Sequence, residues 1–287
     1  MLAKIRGAEL YFDIDGMGLV PEMDQMVERP VLFLLHGGPG GDHVSFKHRV
    51  AKLRDVAQLV FVDHRGSGRS KPCDPETYTL DDNIRDVDAL RDHLGLERIA
   101  VMGSSYGGMV AQGYAIDYPE RISNLVLSAT APSFRFIDEA KKIVEEKGTD
   151  EQRRVCQRLW DGRFESEEQL YEYYKITGPL YSVTWDEKAF DTSYKQSIRN
   201  FEQLNRGFGG FLRTFDFIEK LPEIRCPTLV MAAAHDWICP VNQSELIADK
   251  IPKAHLKVFR NSSHAIASDE NEAFLTAVRG FLTYAPQ

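Results

Sequence analysis

Short apolar runs alternate with helical patterns along most of this chain, and this alternation limits its possible folds more than any other feature. Val31–His36 and Leu59–Asp63 are continuous apolar runs, as expected of strands that are buried on both faces. Runs of the same type recur at Ile99–Met102, Leu125–Ser128, Thr228–Ala233 and Leu256–Phe259. Helical patterns lie at Val44–Val56, Leu80–Leu94, Met109–Tyr118, Gln243–Ile251 and Glu270–Leu282. Because parallel strands need long crossover connections, the sequence predicts an α/β fold with a mostly parallel central sheet flanked by helices.

Two further segments complete the predicted core. Glu9–Ile14 alternates apolar and polar residues, which predicts an early strand. Gly16–Glu28 has no such regular pattern and is predicted to be a surface loop.

The alternation stops at Pro132 and resumes near Thr228. The stretch 132–217 covers under a third of the chain but holds more than half of its Phe, Tyr and Trp residues. Aromatic side chains at this density pack a small helical subdomain and can also wall an apolar pocket. We therefore expect a core built from residues 1–131 and 218–287, with residues 132–217 inserted between them.

The strand at Ile99–Met102 leads directly into the sequence Gly103-Ser104-Ser105-Tyr106-Gly107. A G-x-S-x-G pattern between a strand and a helix is typical of the nucleophile elbow, a sharp turn that raises a serine hydroxyl above the backbone. The glycines are required because a side chain would clash in the cramped turn. Ser105 is therefore the candidate nucleophile.

A serine hydroxyl needs a base to remove its proton, and the base needs an orienting acid. Asp236 follows the strand Thr228–Ala233, and His264 lies in the loop after Leu256–Phe259. Both therefore fall at the carboxyl edge of the predicted sheet, in the chain order nucleophile, acid, base. Taken singly, such an aspartate is more often a helix cap and such a histidine an ordinary surface or core residue. Together with the elbow they predict a catalytic triad of Ser105, Asp236 and His264.

The loop after Val31–His36 reads Gly37-Gly38-Pro39-Gly40-Gly41, and its glycines permit close approach of a substrate. An oxyanion formed at the attacked carbonyl needs fixed N–H donors. The backbone N–H of Tyr106 is one expected donor, and Gly38 is the second, with Gly37 as the alternative. A phosphate-binding loop is disfavoured because the loop lacks a lysine. His36 is predicted to support this loop, and the segment 63–70 is predicted to be structural.

Composition excludes several function classes. The net charge is −8 and no basic run is present, which disfavours nucleic-acid binding. No apolar stretch is long enough for a membrane span, and the first residues do not resemble a signal peptide, so we expect a cytoplasmic protein. Four scattered cysteines lack metal-ligand spacing and are expected to be reduced thiols, with Cys239 in a packing role. The sequence predicts no metal, no cofactor and a small-molecule substrate, and leaves the oligomeric state open.

Together these motifs resemble the α/β-hydrolase superfamily, and the glycine loop with the elbow resembles its proline iminopeptidase group. The resemblance covers roughly 200 residues and implies that the insertion 132–217 is a helical cap over the site. Iminopeptidases of this group hold the free amine of the substrate with glutamates, one in the cap and one directly after the triad acid. Here Trp237 follows Asp236, and Glu202 lies close to the corresponding cap position. Trp237, Glu202 and Gly37 are therefore the candidate substrate-binding residues, and Trp237 suggests an apolar group near the acyl site.

The sequence predicts a serine hydrolase that cleaves a carboxylic ester, lactone or amide of an apolar small molecule through an acyl-enzyme. An iminopeptidase that releases an N-terminal residue is the first alternative. A non-catalytic ligand receptor on the same fold is a second, and acyl transfer or carbon–carbon cleavage by the same triad is a third. Epoxide hydrolase and dehalogenase chemistry is disfavoured because those relatives carry an aspartate at the position of Ser105.

Overall fold

The computed structural model describes residues 1–284, apart from the side chains of Ser45 and Tyr284. Within these residues the strands are β1 Leu2–Ile5, β2 Ala8–Asp15, β3 Leu19–Glu22, β4 Gln25–Glu28, β5 Val31–Leu35, β6 Gln58–Val62, β7 Ile99–Ser104, β8 Ile122–Ser128, β9 Thr228–Ala233 and β10 Ala254–Phe259. The helices are α1 Val44–Val50, α2 Leu80–His93, α3 Tyr106–Asp117, α4 Phe136–Lys147, α5 Asp150–Asp161, α6 Glu167–Tyr181, α7 Glu187–Gln196, α8 Phe201–Gly209, α9 Val241–Lys250, α10 Ile266–Asp269 and α11 Asn271–Tyr284.

The central sheet has eight strands in the order β1-β2-β6-β5-β7-β8-β9-β10 among the described residues. β1 pairs antiparallel with β2, and β2 pairs antiparallel with β6. Every pair from β6 to β10 is parallel. The predicted α/β fold with a mostly parallel sheet is therefore confirmed. Because the parallel strands share one direction, the loops after β5, β7, β9 and β10 meet at one edge.

The two faces of the sheet are covered by different helices, which explains the uninterrupted apolar runs. Phe33 and Leu35 of β5 belong to the cluster packed with α2 and α3, and both are fully buried. Leu32 and Leu34 point the other way, into the cluster that contains side chains of α1 and α11. A strand that is covered on both faces has no polar positions to alternate with apolar ones.

The predicted surface loop at Gly16–Glu28 is a β-hairpin instead, formed by antiparallel pairing of β3 and β4. Most of its side chains are exposed, including Leu19, Met23 and Met26, and Val20 is buried. Because so few of its side chains pack on the core, the sequence of this hairpin lacks the regular alternation of apolar and polar residues that predicts a strand.

The predicted helix Val44–Val56 is also divided, because α1 ends at Val50 and a 3₁₀ helix continues over Ala51–Asp55.

Five helices, α4 to α8, lie between β8 and β9. Local sequence defines their ends: Thr149 and Gln152 form a capping box at the start of α5, and Gly162 ends it in the left-handed conformation at φ 63°. α8 is tied to the core by the Asn200 N–H, which donates to Gly40 O at 2.8 Å, and by Gln203, whose Nε2 donates to Arg65 O at 2.6 Å. The division of the chain at 131/132 and 217/218 stays a prediction.

Candidate active site

Ser105 occupies the turn between β7 and α3 in a strained conformation, with φ 54° and ψ −120°. Such a positive φ is costly for a residue other than glycine. The turn is held from both sides, because the Ser105 N–H donates to Ser128 O at 2.9 Å and Thr130 Oγ1 donates to Ser105 O at 2.8 Å. A Cβ on Gly107 would lie 2.1 Å from Leu35 O. Only glycine therefore lets the first turn of α3 pack against β5.

Asp236 and His264 are hydrogen-bonded across the loops after β9 and β10. His264 Nδ1 lies 2.8 Å from Asp236 Oδ2. Asp236 Oδ1 accepts the backbone N–H groups of Ile238 and Cys239, each at 2.9 Å. The carboxylate is buried and has a partner on each oxygen. Donation from His264 Nδ1 leaves Nε2 as the ring nitrogen that can accept a proton.

Ser105 and His264 line the same cavity, which has a volume of about 320 Å³. Gly37 and Gly38 line it as well. The remaining wall is rich in apolar and aromatic side chains from α5 to α8: Leu159, Tyr173, Tyr174, Tyr181, Trp185, Phe190, Leu204 and Phe208. Within the described residues the Ser105 hydroxyl forms no hydrogen bond of its own in this structure. Bonds between a nucleophile and its base are often long without substrate and tighten when substrate binds.

The glycine loop lies directly against the candidate nucleophile. A Cβ on Gly37 would lie 3.2 Å from the Ser105 Cβ, and Gly38 has a φ of 135°. In the described part of the chain, the backbone N–H groups of Gly38 and Tyr106 have no hydrogen-bond acceptor. Backbone N–H groups without acceptors at the cavity of a serine can receive a developing negative charge. The Tyr106 side chain has a separate partner, since its buried hydroxyl accepts a hydrogen bond from Asn83 Nδ2 at 2.7 Å.

His36 supports the glycine loop through hydrogen bonds. Its Nδ1 lies 2.8 Å from Gly37 O, and its Nε2 accepts the His64 N–H at 3.2 Å. Burial lowers the pKa of His36, although the Asp63 carboxylate opposes the shift. The ring is therefore neutral at pH 7, as required of a group that donates on one nitrogen and accepts on the other.

The structure does not bring Trp237 or Glu202 to the cavity wall. Trp237 is 2% exposed and lies behind the wall, packed edge-on against Tyr181 with ring centroids 5.2 Å apart. Glu202 is an exposed residue in the first turn of α8. The contacts of these two residues with substrate stay predictions. Trp237 instead supports Tyr181, whose ring in turn lies 5.5 Å from that of His264.

Sequence reasoning missed three charged residues of the cavity, Asp42, Arg49 and Arg199. Asp42 Oδ1 accepts from Val44 N–H and Ser197 Oγ, while its Oδ2 accepts from Arg69 Nη1 and Ile198 N–H. Three of these partners, Arg69, Ser197 and Ile198, are far from Asp42 in the chain, so no local motif identifies them. Asp42 could have been found only through its position directly after the glycine loop.

Neither a metal cluster nor a membrane span is found in the described part of the chain. No group of three or more His, Cys, Asp or Glu side chains there has an arrangement that could hold a metal ion. None of the described helices combines the length and apolar character that a bilayer crossing needs.

Comparison with known proteins gives the family. A family profile described as alpha/beta hydrolase fold matches residues 30–270. The proline iminopeptidase PfmaB of Pestalotiopsis fici is 32% identical over 285 residues, which cover 97% of this chain and 98% of that protein. This chain belongs to the alpha/beta hydrolase fold family. Within the family it falls in the proline iminopeptidase-like group, as its motifs predicted, and it is a hydrolase.

Two further comparisons agree with this assignment. The proline iminopeptidase of Lactobacillus helveticus is 27% identical over 295 residues, covering 96% of this chain and 95% of that protein. The crystal structure of proline iminopeptidase from Mycobacterium smegmatis matches with a TM-score of 0.77 at 23% identity, covering 99% of this chain and 97% of that one. At this identity the structural match shows a shared fold.

Proposed function

We propose that this hydrolase is a serine hydrolase that cleaves a carboxylic ester, lactone or amide of a small, largely apolar molecule through an acyl-enzyme. The observation that supports it best is that His264, hydrogen-bonded to Asp236, lines the same cavity as Ser105, the serine of the elbow. A nucleophile and an oriented base that face one cavity are the minimum for acyl transfer to a side chain.

In the proposed reaction, Ser105 Oγ attacks the substrate carbonyl while His264 Nε2 takes the hydroxyl proton. Asp236 holds the imidazole in the tautomer that accepts at Nε2 and stabilises the imidazolium that forms. His264 then gives its proton to the leaving alcohol or amine as the bond to the carbonyl carbon breaks. A water molecule, deprotonated by His264, attacks the acyl-enzyme. His264 returns this proton to Ser105 Oγ as the acyl bond breaks, and the acid product is released.

The oxyanion of each tetrahedral intermediate would be held by the backbone N–H groups of Gly38 and Tyr106, with Gly37 as the alternative to Gly38. Loss of one such donor costs about 10²–10³ in kcat in a serine protease. Two observations support this role: neither N–H has an acceptor among the described residues, and Gly38 lines the cavity of Ser105 while Tyr106 follows Ser105 in the chain. Main-chain donors need no side chain, which agrees with glycine at positions 37 and 38.

The proposed substrate preference follows from the wall of the cavity. Most of its apolar and aromatic lining comes from residues between 132 and 217. We propose that this segment is a cap that excludes water and selects the acyl or leaving group. Burial of apolar surface contributes about 25 cal/mol per Å², so a ring enclosed in such a cavity gains several kcal/mol.

An iminopeptidase is the second candidate, and the names of the relatives favour it. A free amine carries a positive charge and needs a carboxylate partner when it is desolvated. Among the described residues of the cavity wall, Asp42 is the sole carboxylate, and its oxygens already accept four hydrogen bonds. This distribution of charge supports an ester or lactone substrate over an N-terminal amine.

A hydrolysis screen tests the proposal. Aryl esters, lactones, neutral anilides and proline anilide would be assayed with the wild-type protein, with Ser105→Ala as the blank and a fluorophosphonate probe to label Ser105. We expect Ser105-dependent turnover of neutral esters or lactones and rapid labelling. Turnover that survives Ser105→Ala, or no labelling, would overturn the serine mechanism. A strong preference for proline anilide would establish the iminopeptidase instead.

A further inference from the structure

Two guanidinium groups line the cavity that contains Ser105. Arg49 lies on α1 of the core, one turn after Phe46, which lines the cavity as well. Arg199 lies between α7 and α8, within the insertion 132–217. Both positive charges lie among the apolar and aromatic side chains that form much of this wall.

Arg49 has no close acidic partner. No carboxylate lies within ion-pair distance of its guanidinium among the described residues. Asp269 attracts it from farther away, but the Asp269 oxygens are bound to the Ser182 and Thr184 hydroxyls and to the Ser263 N–H. The five N–H donors of Arg49 are therefore available to another acceptor.

Arg199 is held in place but its charge is not neutralised. Its guanidinium stacks on the Tyr194 ring, with Cζ 4.0 Å from the ring centroid, and Nη1 donates to Tyr194 O at 3.2 Å. Cζ also lies 5.5 Å from the centroid of Tyr174, which lines the cavity. Stacking of this kind orients the planar group while leaving its remaining donors free. No ion pair involves Arg199 in the described part of the structure.

The one carboxylate of the wall does not neutralise these arginines. Asp42 forms an ion pair with Arg69, at 3.1 Å. Its oxygens also accept hydrogen bonds from Ser197 Oγ and from backbone N–H groups. The wall therefore presents two positive charges and a carboxylate that is already paired. This is the reverse of the arrangement that a cationic substrate requires.

We propose that Arg49 and Arg199 bind a carboxylate of the substrate, so that the natural substrate is an ester, lactone or amide that also carries a free carboxylate next to an apolar body. This inference rests on the proposed function, since it places the anion in the cavity where Ser105 would attack. A carboxylate matches the planar fork of a guanidinium, and each charge-assisted bond is about twice as strong as a neutral one. The aromatic wall would hold the apolar part of the same molecule.

The test uses pairs of substrates that differ in charge but not in shape. Phenyl esters of carboxyphenylacetic acid, with the carboxylate at the meta or para position, are compared with their carbamoyl counterparts. We expect the wild-type protein to favour a carboxylate ester at least about tenfold in kcat/KM. Arg49→Gln and Arg199→Gln should each lower this preference, and the double variant should reduce it to about one through a loss of kcat/KM for the carboxylate ester. Arg85→Gln, on the exposed face of α2, is the matched control and should keep the full preference.

A binding measurement separates failure of this inference from failure of the proposed function. Ser105→Ala protein, which needs no turnover, is titrated with phenylacetate and with phenylacetamide. Tighter binding of phenylacetate than of phenylacetamide, lost in the two arginine variants, supports the anion site. If this binding is found but no ester is hydrolysed, only the hydrolytic proposal is refuted. Ser105-dependent hydrolysis without any preference for the carboxylate member, and equal binding of the two probes, would overturn the anion site and leave the serine mechanism standing.

Discussion

Replacement of Asp236 by Asn should separate the proposed catalytic role of this residue from its structural role. The carboxylate accepts three hydrogen bonds: one from His264 Nδ1 and two from the backbone N–H groups of Ile238 and Cys239. An Asn side chain keeps an oxygen for the two backbone donors. Its NH₂ group then faces His264 Nδ1 as a donor, which forces the imidazole into the tautomer with its proton on Nε2. That nitrogen can no longer accept the Ser105 proton.

The expected magnitudes for activity and stability differ. The same change in a serine protease triad lowers kcat about 10⁴-fold, and we expect a loss of at least about 10³-fold here. The free energy of unfolding should fall by only about 1 kcal/mol, because the backbone donors keep their acceptor. Asp236→Ala should lose similar activity but cost several kcal/mol, since each buried N–H left without an acceptor costs about 1–3 kcal/mol.

The assay combines ester hydrolysis with urea unfolding for both variants. Asp249→Asn, on the exposed surface of α9, serves as the control for a change of charge alone. Asp236→Asn protein that retains activity within tenfold of wild type would refute the orienting role of the carboxylate. If Asp236→Asn and Asp236→Ala destabilise the fold equally, the hydrogen bonds to the two backbone groups are not what holds this loop.

Three other predictions follow from the same structure. Gly107→Ala should lower the free energy of unfolding in urea by several kcal/mol, because the added Cβ would lie 2.1 Å from Leu35 O. A variant as stable as the wild type would contradict the packing argument. Asp269→Asn should lower kcat/KM about tenfold and speed proteolysis near residue 183. The reason is that Asp269 Oδ2 accepts the N–H groups of Ser263 and Val183, and so joins the loop before His264 to the insertion. Unchanged kcat/KM and an unchanged rate of proteolysis would show that this connection does not position the histidine. Burial lowers the pKa of His64 well below 6.5, so the unfolded chain takes up a proton there that the folded chain does not, and stability should fall by up to about 1.4 kcal/mol per pH unit as the pH drops below 6.5. Urea midpoints between pH 7.5 and 5.5 should show a smaller decline for His64→Gln, and equal declines would contradict this assignment.

The glycine loop illustrates how far local sequence could define the site. Gly37, Gly38 and Ser105 were predicted from short motifs, because a sharp turn and a close backbone approach depend on residues next to one another in the chain. The positions of Asp236 and His264 followed from a rule about the sheet, that the loops after parallel strands meet at one edge. The hydrogen bond between them agrees with that placement.

Sequence alone could not define the wall of the cavity. Trp237 is next to Asp236 in the chain, yet it is buried behind Tyr181 because successive residues in a loop point in different directions. Glu202 was selected by its position in a pattern, but the rotation of α8 leaves it exposed. The hairpin at residues 19–28 was missed for a related reason, since an element with few buried side chains leaves no regular apolar pattern.

The sequence by itself determined the parallel sheet, the elbow at Ser105 and the order of the residues that follow the strands, because these depend on local conformation and on the periodicity of burial. Only the tertiary structure decided which side chains surround the space above Ser105. Arg49 and Arg199 come from distant parts of the chain and meet the same cavity through the packing of whole helices against the core. Helix packing depends on the combined shape of many side chains, and no short pattern in a sequence records it.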